Sequence, residues 1–596
     1  MTSTELDTHM ASPADRIVPR RVYCVIDHLY RNVELAEAAR RGSFDHAGVV
    51  LDLGRDPDWI GGGLADDKEW RIEWVKLYEG LDLAHAYAVT GEHDFLTTWE
   101  DLVGAFIDQI EVGHDSSDVS ARRLQNWLYA WRRFADAPHF DGLRPGFAER
   151  LAARIAADAA HLREHLTAER NHRTLELYAL LIVGMSLPQD DHELATFALD
   201  ELATNLHTDV WADGVHRECS TDYHCIALRS FLGGIANARM ADLPLPLGYL
   251  ERVSLALDFA LHIQRPDGLI PSFSDGDTAD FRRLLAFGAE LLGRDDLRWA
   301  ATLGTTGTAP ERRDVTFDVG GYLTARSGWG DGATPYGEER FMLMDAGPLG
   351  DGGHGHYDQL HLELYGNGHQ LVVDPGRYTY ADNPWRHWFK GSAGHNTVTV
   401  DGLDQTPYRR GAPKRPTSEA RILRRTTTAA LDAIEAMVTS PAHDAVHTRQ
   451  VVFPGRDYWV IHDRLDAATH HRYEARWHLP VEAERQTTVV RDTHQTTVTF
   501  PGGRLVFPAG LDVAIEDGWV SPTYGVKHAA PVVVARTHGT CADILTVVSP
   551  GADDVVLDDR TSGGVLGCLV QRAGVDDVLL WSAGTDVTWS REVIER

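Results

Sequence analysis

A helical domain followed by an antiparallel β-sheet domain is the fold class the sequence predicts, and three observations carry that prediction. Between about Trp70 and Leu303 the apolar residues recur at three-to-four spacing, the period of an amphipathic helix. Beyond Gly304 they recur every second residue, as in strands with one buried face. Where the two patterns meet, GTTGTAPERRD is rich in turn-forming residues and places the boundary near residue 310. A chain of 596 residues also exceeds what one hydrophobic core serves. The predicted domains are therefore 1–310, helical, and 311–596, antiparallel β.

The helical half opens with EWRIEWVKLYEGLDLAHAYAVTG. Trp70, Trp74, Leu77, Leu81 and Ala84 form one stripe, and Gly91 ends it. Comparable stretches follow with short links, among them FLTTWEDLVGAFIDQI, ARRLQNWLYAWRRFA, TLELYALLIVGMSL and YLERVSLALDFALHIQ. No fixed-length repeat stands out, so the pattern implies an all-α array rather than a consensus solenoid. In the second half RFMLMDAG, LHLELYG, HQLVVDPG, HNTVTVDG, RQVVFPG and DYWVIHDRL alternate as strands. LHLELYGNGHQLVVD predicts a hairpin turning at Gly366-Asn367-Gly368. So many strands imply stacked antiparallel sheets, a β-sandwich.

Composition bounds the function without naming it. Hydrophobic residues make up 43% and charged residues 24%, as in a soluble globular protein. Five scattered cysteines read as thiols, not as a disulfide framework. The formal charge of −31 argues against a nucleic-acid partner. It leaves an acidic substrate open, because exposed charges are screened beyond about 8–10 Å and cations can line a cleft in an acidic protein. The N-terminal stretch has no apolar signal core and no apolar run spans a membrane, so a cytoplasmic enzyme with no membrane partner is expected. The sequence leaves the oligomeric state open.

The densest polar cluster is GDGGHGHYDQLHLELYGNGHQLVVDPG. His354 and His356 flank Gly355 and would share one face of an extended chain; Asp374 ends the returning hairpin strand, and His395 opens the next strand. Imidazoles and a carboxylate in this arrangement suit a divalent metal of the zinc type, or alternatively cap strand ends. A second cluster, GVHRECSTDYHCIALRSFL, sets Glu218, Tyr223 and His224 just before a helix, where a cleft could reach them. Asn171 and His172 open another helix, where Asn171 could equally be a cap. A third cluster, ARRLQNWLYAWRRF, combines Arg122, Arg123, Gln125, Asn126 and Trp127. These are groups that suit a sugar acid through bidentate arginine contacts and ring stacking, or that form an ordinary amphipathic helix.

Together these motifs resemble the heparinase II/III-like polysaccharide lyases, from the Trp-rich helices near Trp70 to the strand VVFPGRDYWVIHDRL. The most specific stretch runs from His354-Gly355-His356 through Asp374-Pro375-Gly376 to His395-Asn396-Thr397, and GLIPSFSDGD resembles the segment closing the family's helical domain. The resemblance implies an incomplete (α/α) toroid followed by an antiparallel β-sheet domain. It also implies β-elimination on a uronate-containing glycosaminoglycan such as heparan sulfate, chondroitin sulfate or hyaluronan, with alginate as the alternative. By motif, Asn171 corresponds to the amide that neutralises the uronate carboxylate and His172 to its polar neighbour. Tyr223 and His354 correspond to the proton carriers, and His356, Asp374 and His395 to the ligands of a structural metal, usually zinc. No organic cofactor is implied. Glu218, His224 and the Arg122–Trp127 group are the expected substrate contacts.

The chemistry matches that division of labour. The C5 proton of a uronate lies α to a carboxylate, and its removal builds an enolate-like dianion that hydrogen-bond donors such as Asn171 must stabilise. A histidine titrates near neutrality and suits the base, whereas a tyrosine with a pKa near 10 suits the acid; for a substrate epimer presenting C5–H on the other face, Tyr223 could play both roles. Three rivals stay open: a glycoside hydrolase, which needs two opposed carboxylates; a metal-dependent hydrolase with an open coordination position; and a non-catalytic carbohydrate-binding protein.

Overall fold

A computed structural model describes residues 18–46, 48–187, 192–411, 414–572 and 574–594. Thirteen α-helices occur among them, and no described helix is long and apolar enough to cross a membrane. The chain forms two compact units. The first comprises Met1–Asn205 and Gly233–Leu247, the second Leu206–Leu232 and Gly248–Arg596. The change from helix to strand lies elsewhere, between helix residue Ala301 and strand residue Val315.

The first unit holds α1 (Val33–Arg40), the hairpin β1 (Ser43–His46) and β2 (Val49–Asp52), α2 (Lys68–Lys76), α3 (Glu79–Thr90), α4 (His93–Gln109), α5 (Ser117–Asp136), α6 (Phe147–Glu164), α7 (Arg170–Ser186) and most of α8 (Glu193–Asp209). Asn32 and Asp67 cap α1 and α2 by accepting hydrogen bonds from the exposed N–H groups of the first turn. The stripe that reads as one helix from Trp70 to Gly91 is broken. Leu77 turns left-handed (φ 52°), closes α2, and buries its side chain. Gly91 ends α3 with φ 74°, as the sequence predicts. Trp59, Trp70, Trp74, Trp99, Trp127 and Trp131 are fully buried and form the aromatic core of this unit.

The second unit begins with the end of α8 and the first turns of α9 (Thr221–Met240), followed by α10 (Tyr249–Ile263), the short pair β3 (Leu269–Ile270) and β4 (Ala279–Asp280), α11 (Arg282–Leu292) and α12 (Asp295–Ala301). A five-stranded meander follows, with β5 (Val315–Phe317), β6 (Tyr322–Arg326), β7 (Phe341–Asp345), β8 (Leu362–Gly366) and β9 (His369–Val372) in spatial order. The β8–β9 turn is the predicted one. Asn367 and Gly368 both take positive φ (53° and 81°), the conformation a two-residue hairpin loop requires.

After α13 (Pro384–Lys390) the chain builds a ten-stranded antiparallel sheet. Its strands are β10 (Val398–Val400), β11 (Glu419–Thr427), β12 (Leu431–Thr439), β13 (Val446–Pro454), β14 (Trp459–His478), β15 (Thr488–Arg491), β16 (Gln495–Phe500), β17 (Gly503–Pro508), β18 (Asp512–Thr523) and β19 (Val526–Pro550). One face of this sheet packs on the meander. Leu323, Met342 and Leu362 meet Ile461, Trp477 and Ile544 in one buried cluster. The other face carries a further layer that the alternation pattern did not separate. This is a four-stranded sheet of β20 (Val556–Asp559), β21 (Val565–Arg572), β22 (Val575–Ser582) and β23 (Thr588–Val593), whose Leu566, Val570 and Trp581 pack on Val452, Val460 and Val547. A helical (α/α) array followed by antiparallel β-sheets is thus the fold, with three β layers where a two-layer sandwich was expected.

Candidate active site

The polar cluster of the second unit is assembled from four connecting segments. The first is the start of α9. Ser220 caps it, accepting a hydrogen bond from the Tyr223 N–H while its own hydroxyl donates to the Asp275 carbonyl. Tyr223 therefore stands on the first turn of a helix tied directly to the second segment, Ser274–Asp277. The third, Gly352–His356, carries both histidines of the predicted pair. A side chain at Gly355 would put its Cβ 1.7 Å from the Leu349 carbonyl oxygen, so only glycine lets this loop fold back on itself. The fourth, Asp374–Tyr380, leaves β9. It is braced by the β18–β19 turn, with Ser521 N–H donating to Pro375 O and Gly525 N–H to Tyr378 O, both at 2.8 Å. Cys219, Ser274 and Tyr378 all hold positive φ (52°, 65° and 54°), so three of the four segments carry backbone strain beside a site residue.

Asp275 is the hub. Its two oxygens take a bidentate ion pair from Arg386, with Nη2 to Oδ2 at 2.7 Å. They also lie 3.2 Å from His354 Nδ1 and 3.0 Å from His356 Nε2. Burial pushes the Asp275 carboxyl up, but Arg386 and the two imidazoles outweigh it and hold the carboxyl well below the usual range. A carboxylate can only accept, so His354 donates through Nδ1 and its Nε2 carries the free lone pair. The His354 side chain is 18% exposed, whereas those of Asp275 and His356 are at most 1% exposed; His354 is the imidazole a ligand can reach. Its ring lies on Tyr223 with centroids 4.1 Å apart, and Glu218 Oε2 lies 3.8 Å from Nε2. Burial raises the Tyr223 hydroxyl pKa, partly offset by the nearby Arg377 charge, so Tyr223 keeps its proton at neutral pH. An imidazole with an oriented lone pair thus stands against a protonated phenol.

Behind this pair lies a buried set of potential metal ligands. His356 donates to Asp275 through Nε2, which leaves Nδ1 as an acceptor. His395 donates to the Gly391 carbonyl through Nδ1 at 2.8 Å, which leaves Nε2 as an acceptor. These two lone pairs face each other at 3.1 Å with no proton assigned between them. Asp358 Oδ2 and Asp374 Oδ2, both without a hydrogen-bond partner among the described residues, lie 3.8 and 3.9 Å from His395 Nε2. Opposed imidazole lone pairs beside orphaned carboxylate oxygens are the donor set a divalent cation satisfies. His356, Asp358 and His395 offer atoms all within 4.8 Å of one another. The compact triad therefore contains Asp358 where the sequence pointed to Asp374. Asp374 stands beside it, with Oδ2 3.3 Å from His361 Nε2. Burial, with the nearby His395 and Arg386 charges, holds His356 down at about 3, the neutral form a metal ligand needs; burial also lifts both carboxyls, a penalty on their charged form that a bound cation would offset.

Residues 32–292 match the family described as Heparinase II/III N-terminus, and residues 309–554 match Heparinase II/III-like, C-terminal. The chain belongs to the heparinase II/III family. It is 24% identical over 529 residues to the heparin-sulfate lyase of Pedobacter heparinus, covering 84% of this chain and 76% of that protein. It is 22% identical over 353 residues to the heparin-sulfate lyase of Bacteroides thetaiotaomicron, covering 53% of this chain and 49% of that one. The fold is shared with the crystal structure of a heparan sulfate lyase mutant from Pedobacter heparinus (TM-score 0.69, 21% identity, 94% and 90% of the two chains). It is likewise shared with that of heparinase III (TM-score 0.76, 16% identity, 96% and 92%).

Several expected site residues of this family member are placed differently from the sequence reading. In the first unit Arg123, Gln125, Asn126 and Trp127 are interior, not ligand-facing. Arg123 pairs with Asp115 at 2.6 Å, Gln125 donates to Leu175 O, Asn126 donates to Lys76 O, and Trp127 is fully buried. The reason is the width of the α5 apolar stripe, which takes both amides and one arginine into helix packing. Arg122 is half-buried, with a hydrogen bond to Gln125 at 2.9 Å. Asn171 is buried at the second position of α7, and His172 is exposed 3.9 Å from Asp118. In the second unit His224 is a core histidine. Its Nε2 bonds the Ala256 carbonyl at 2.9 Å, and burial lowers it to about 4. Glu218 is buried beside His354. Sequence reasoning missed Asp275, Asp358, Arg377, Tyr380 and Arg386. Asp275 lay within the GLIPSFSDGD stretch and Asp358 two residues past His356, but only the folded chain brings them to the histidines.

Proposed function

We propose that this chain is a polysaccharide lyase that cleaves a glycosaminoglycan of the heparan sulfate class by β-elimination. The observation that carries the proposal is the His354–Tyr223 pair: an imidazole whose free Nε2 is set by Asp275, in ring contact with a protonated phenol. Hydrolysis of a glycoside would need two carboxyl groups flanking the bond; the Asp275 carboxylate beside His354 is instead bound to imidazole and guanidinium.

In the reaction His354 Nε2 takes the C5 proton of the uronate. The C5–H electrons become the C4=C5 double bond, the C4–O4 bond breaks, and Tyr223 gives its proton to the departing O4. Asp275 stabilises the imidazolium that forms, as an orienting carboxylate does in any acid–base pair. For Asn171 the proposed role, hydrogen-bonding the uronate carboxylate as charge develops, rests on the family motif; removing such a donor typically costs about 3–4 kcal/mol of barrier. A divalent cation of the zinc type held by His356, His395 and the neighbouring Asp358 and Asp374 would supply rigidity to the loop that carries His354.

The test is incubation with heparan sulfate, chondroitin sulfate, hyaluronan and alginate while following the ultraviolet absorbance of a conjugated 4,5-unsaturated uronate. Heparan sulfate is expected to give the strongest signal, and Tyr223→Phe to abolish it with folding intact. Reducing ends without that absorbance would replace elimination by hydrolysis, and a preference for alginate would overturn the substrate class.

A further inference from the structure

Beyond the acid–base pair, the second unit contains a chain of polar contacts that ends on Tyr223. Asp277 holds Arg377 in a bidentate pair, Nε to Oδ1 at 2.9 Å and Nη2 to Oδ2 at 3.0 Å, and Thr523 Oγ1 donates to the same carboxylate. Arg377 Nη1 donates to Tyr380 Oη at 2.5 Å, and Tyr380 Oη lies 2.9 Å from Tyr223 Oη. Distances alone leave the direction of the last bond open, but the chemistry of the donors decides it. A guanidinium has five N–H donors and no acceptor, so Tyr380 can only accept from Arg377. The Tyr380 proton then needs an acceptor, and among the described residues the partners of its hydroxyl are Arg377 and Tyr223. If Tyr223 donated to Tyr380, the proton of the half-buried Tyr380 would have no acceptor among the described residues, at the cost of an unmade hydrogen bond.

We propose that Arg377 and Tyr380 are positioning residues that fix Tyr223 as the proton donor. Tyr223 accepts from Tyr380, so its own O–H is turned outward to the leaving-group oxygen. Once that proton has gone, the Tyr223 phenolate already has an O–H aimed at it, with a guanidinium one bond further back. The step balances: one proton passes from Tyr223 to O4 as the C4–O4 bond breaks, and no proton moves along the chain until solvent restores Tyr223. The arrangement is preorganised because Tyr378 holds positive φ next to Arg377 and because a Cβ at Gly376 would sit 2.2 Å from the Ser521 carbonyl oxygen.

This inference rests on the lyase reading, so its test has an arm that needs no activity. In protein labelled at tyrosine Cζ, the Tyr223 resonance is assigned by its disappearance in Tyr223→Phe. On Tyr380→Phe at neutral pH it is expected to move downfield, as a phenol does when it stops accepting a hydrogen bond. An upfield move or no move would overturn the polarity, whatever the enzyme cleaves. In the kinetic arm, Tyr380→Phe and Arg377→Gln are each expected to lower kcat on the natural polymer about 100-fold, with KM little changed. On a uronoside carrying an activated aryl leaving group at C4, which needs no acid, the same variants should lose less than about 3-fold. Arg377→Lys, which keeps a donor, should recover part of the loss. An equal loss on both substrates would mark Arg377 and Tyr380 as structural only. Absence of elimination by the wild type, with the expected Cζ shift, would sink the lyase reading and leave the polarity standing.

Discussion

Replacing Asp275 by asparagine perturbs the site at its most connected atom pair. Each carboxylate oxygen serves two donors. Oδ1 faces Arg386 Nη1 and His356 Nε2; Oδ2 faces Arg386 Nη2 and His354 Nδ1. An asparagine keeps the shape but offers one acceptor and one NH2, so whichever way it flips, two of the four donors meet another donor. A hydrogen bond to a charged group contributes about 1.5–3 kcal/mol, and breaking a buried ion pair from one side costs about 3–5 kcal/mol. The second unit is therefore expected to unfold at clearly lower urea concentration by intrinsic fluorescence. The catalytic loss follows from the tautomer. With the amide NH2 at the Oδ2 position, Nδ1 must accept and His354 loses its lone pair at Nε2, and losing the orienting carboxylate of an acid–base histidine costs about 10³–10⁴ in kcat. The assay is the initial rate of unsaturated uronate formation on heparan sulfate, at saturating substrate and at a temperature where the variant is folded by circular dichroism. A folded Asp275→Asn protein retaining more than about a tenth of wild-type kcat would refute the assignment of His354 as the base oriented by Asp275.

Two further outcomes bear on the groups around the site. Chelation is expected to lower the melting temperature while turnover of the protein still folded stays near normal, because the ligand set lies behind His354; loss of turnover at an unchanged melting temperature would make the metal catalytic instead. Deeper in the β layers, Asp463 is buried between Arg449 and His447, with contacts at 2.6–2.9 Å, and Arg449 also donates to the carbonyls of Leu360 and Asn396. Burial raises the Asp463 carboxyl but Arg449 and then His447 outweigh it, so its folded pKa lies below the unfolded value. The stability it adds is therefore complete above the unfolded value of about 4 and is lost as pH falls through the folded pKa. Asp463→Asn should melt lower than wild type at pH 7, and the gap should narrow below about pH 4; a gap independent of pH would show that the ion pair is not its source.

What the sequence determined by itself was set by short-range rules. Helical period gave way to strand period between Leu303 and β5, and the β8–β9 turn was legible because Asn-Gly tolerates the positive φ a two-residue loop demands. The alternation of His354 and His356 about Gly355 placed both imidazoles on one side, and in the fold both reach the same carboxylate. Their partner was not legible, because Asp275 is some 80 residues away and nothing local marks one aspartate of GLIPSFSDGD over another. The Arg122–Trp127 helix shows the converse. Its residue types suit a sugar acid, but whether an arginine or amide faces a ligand or a neighbouring helix depends on how wide the buried face becomes, and α5 buries most of its circumference. Only tertiary structure could decide that Asp358 joins His356 and His395, that a third β layer covers the ten-stranded sheet, and that Arg377 and Tyr380 stand behind Tyr223. Periodicity reports which face of an element is buried; it does not report what that face meets.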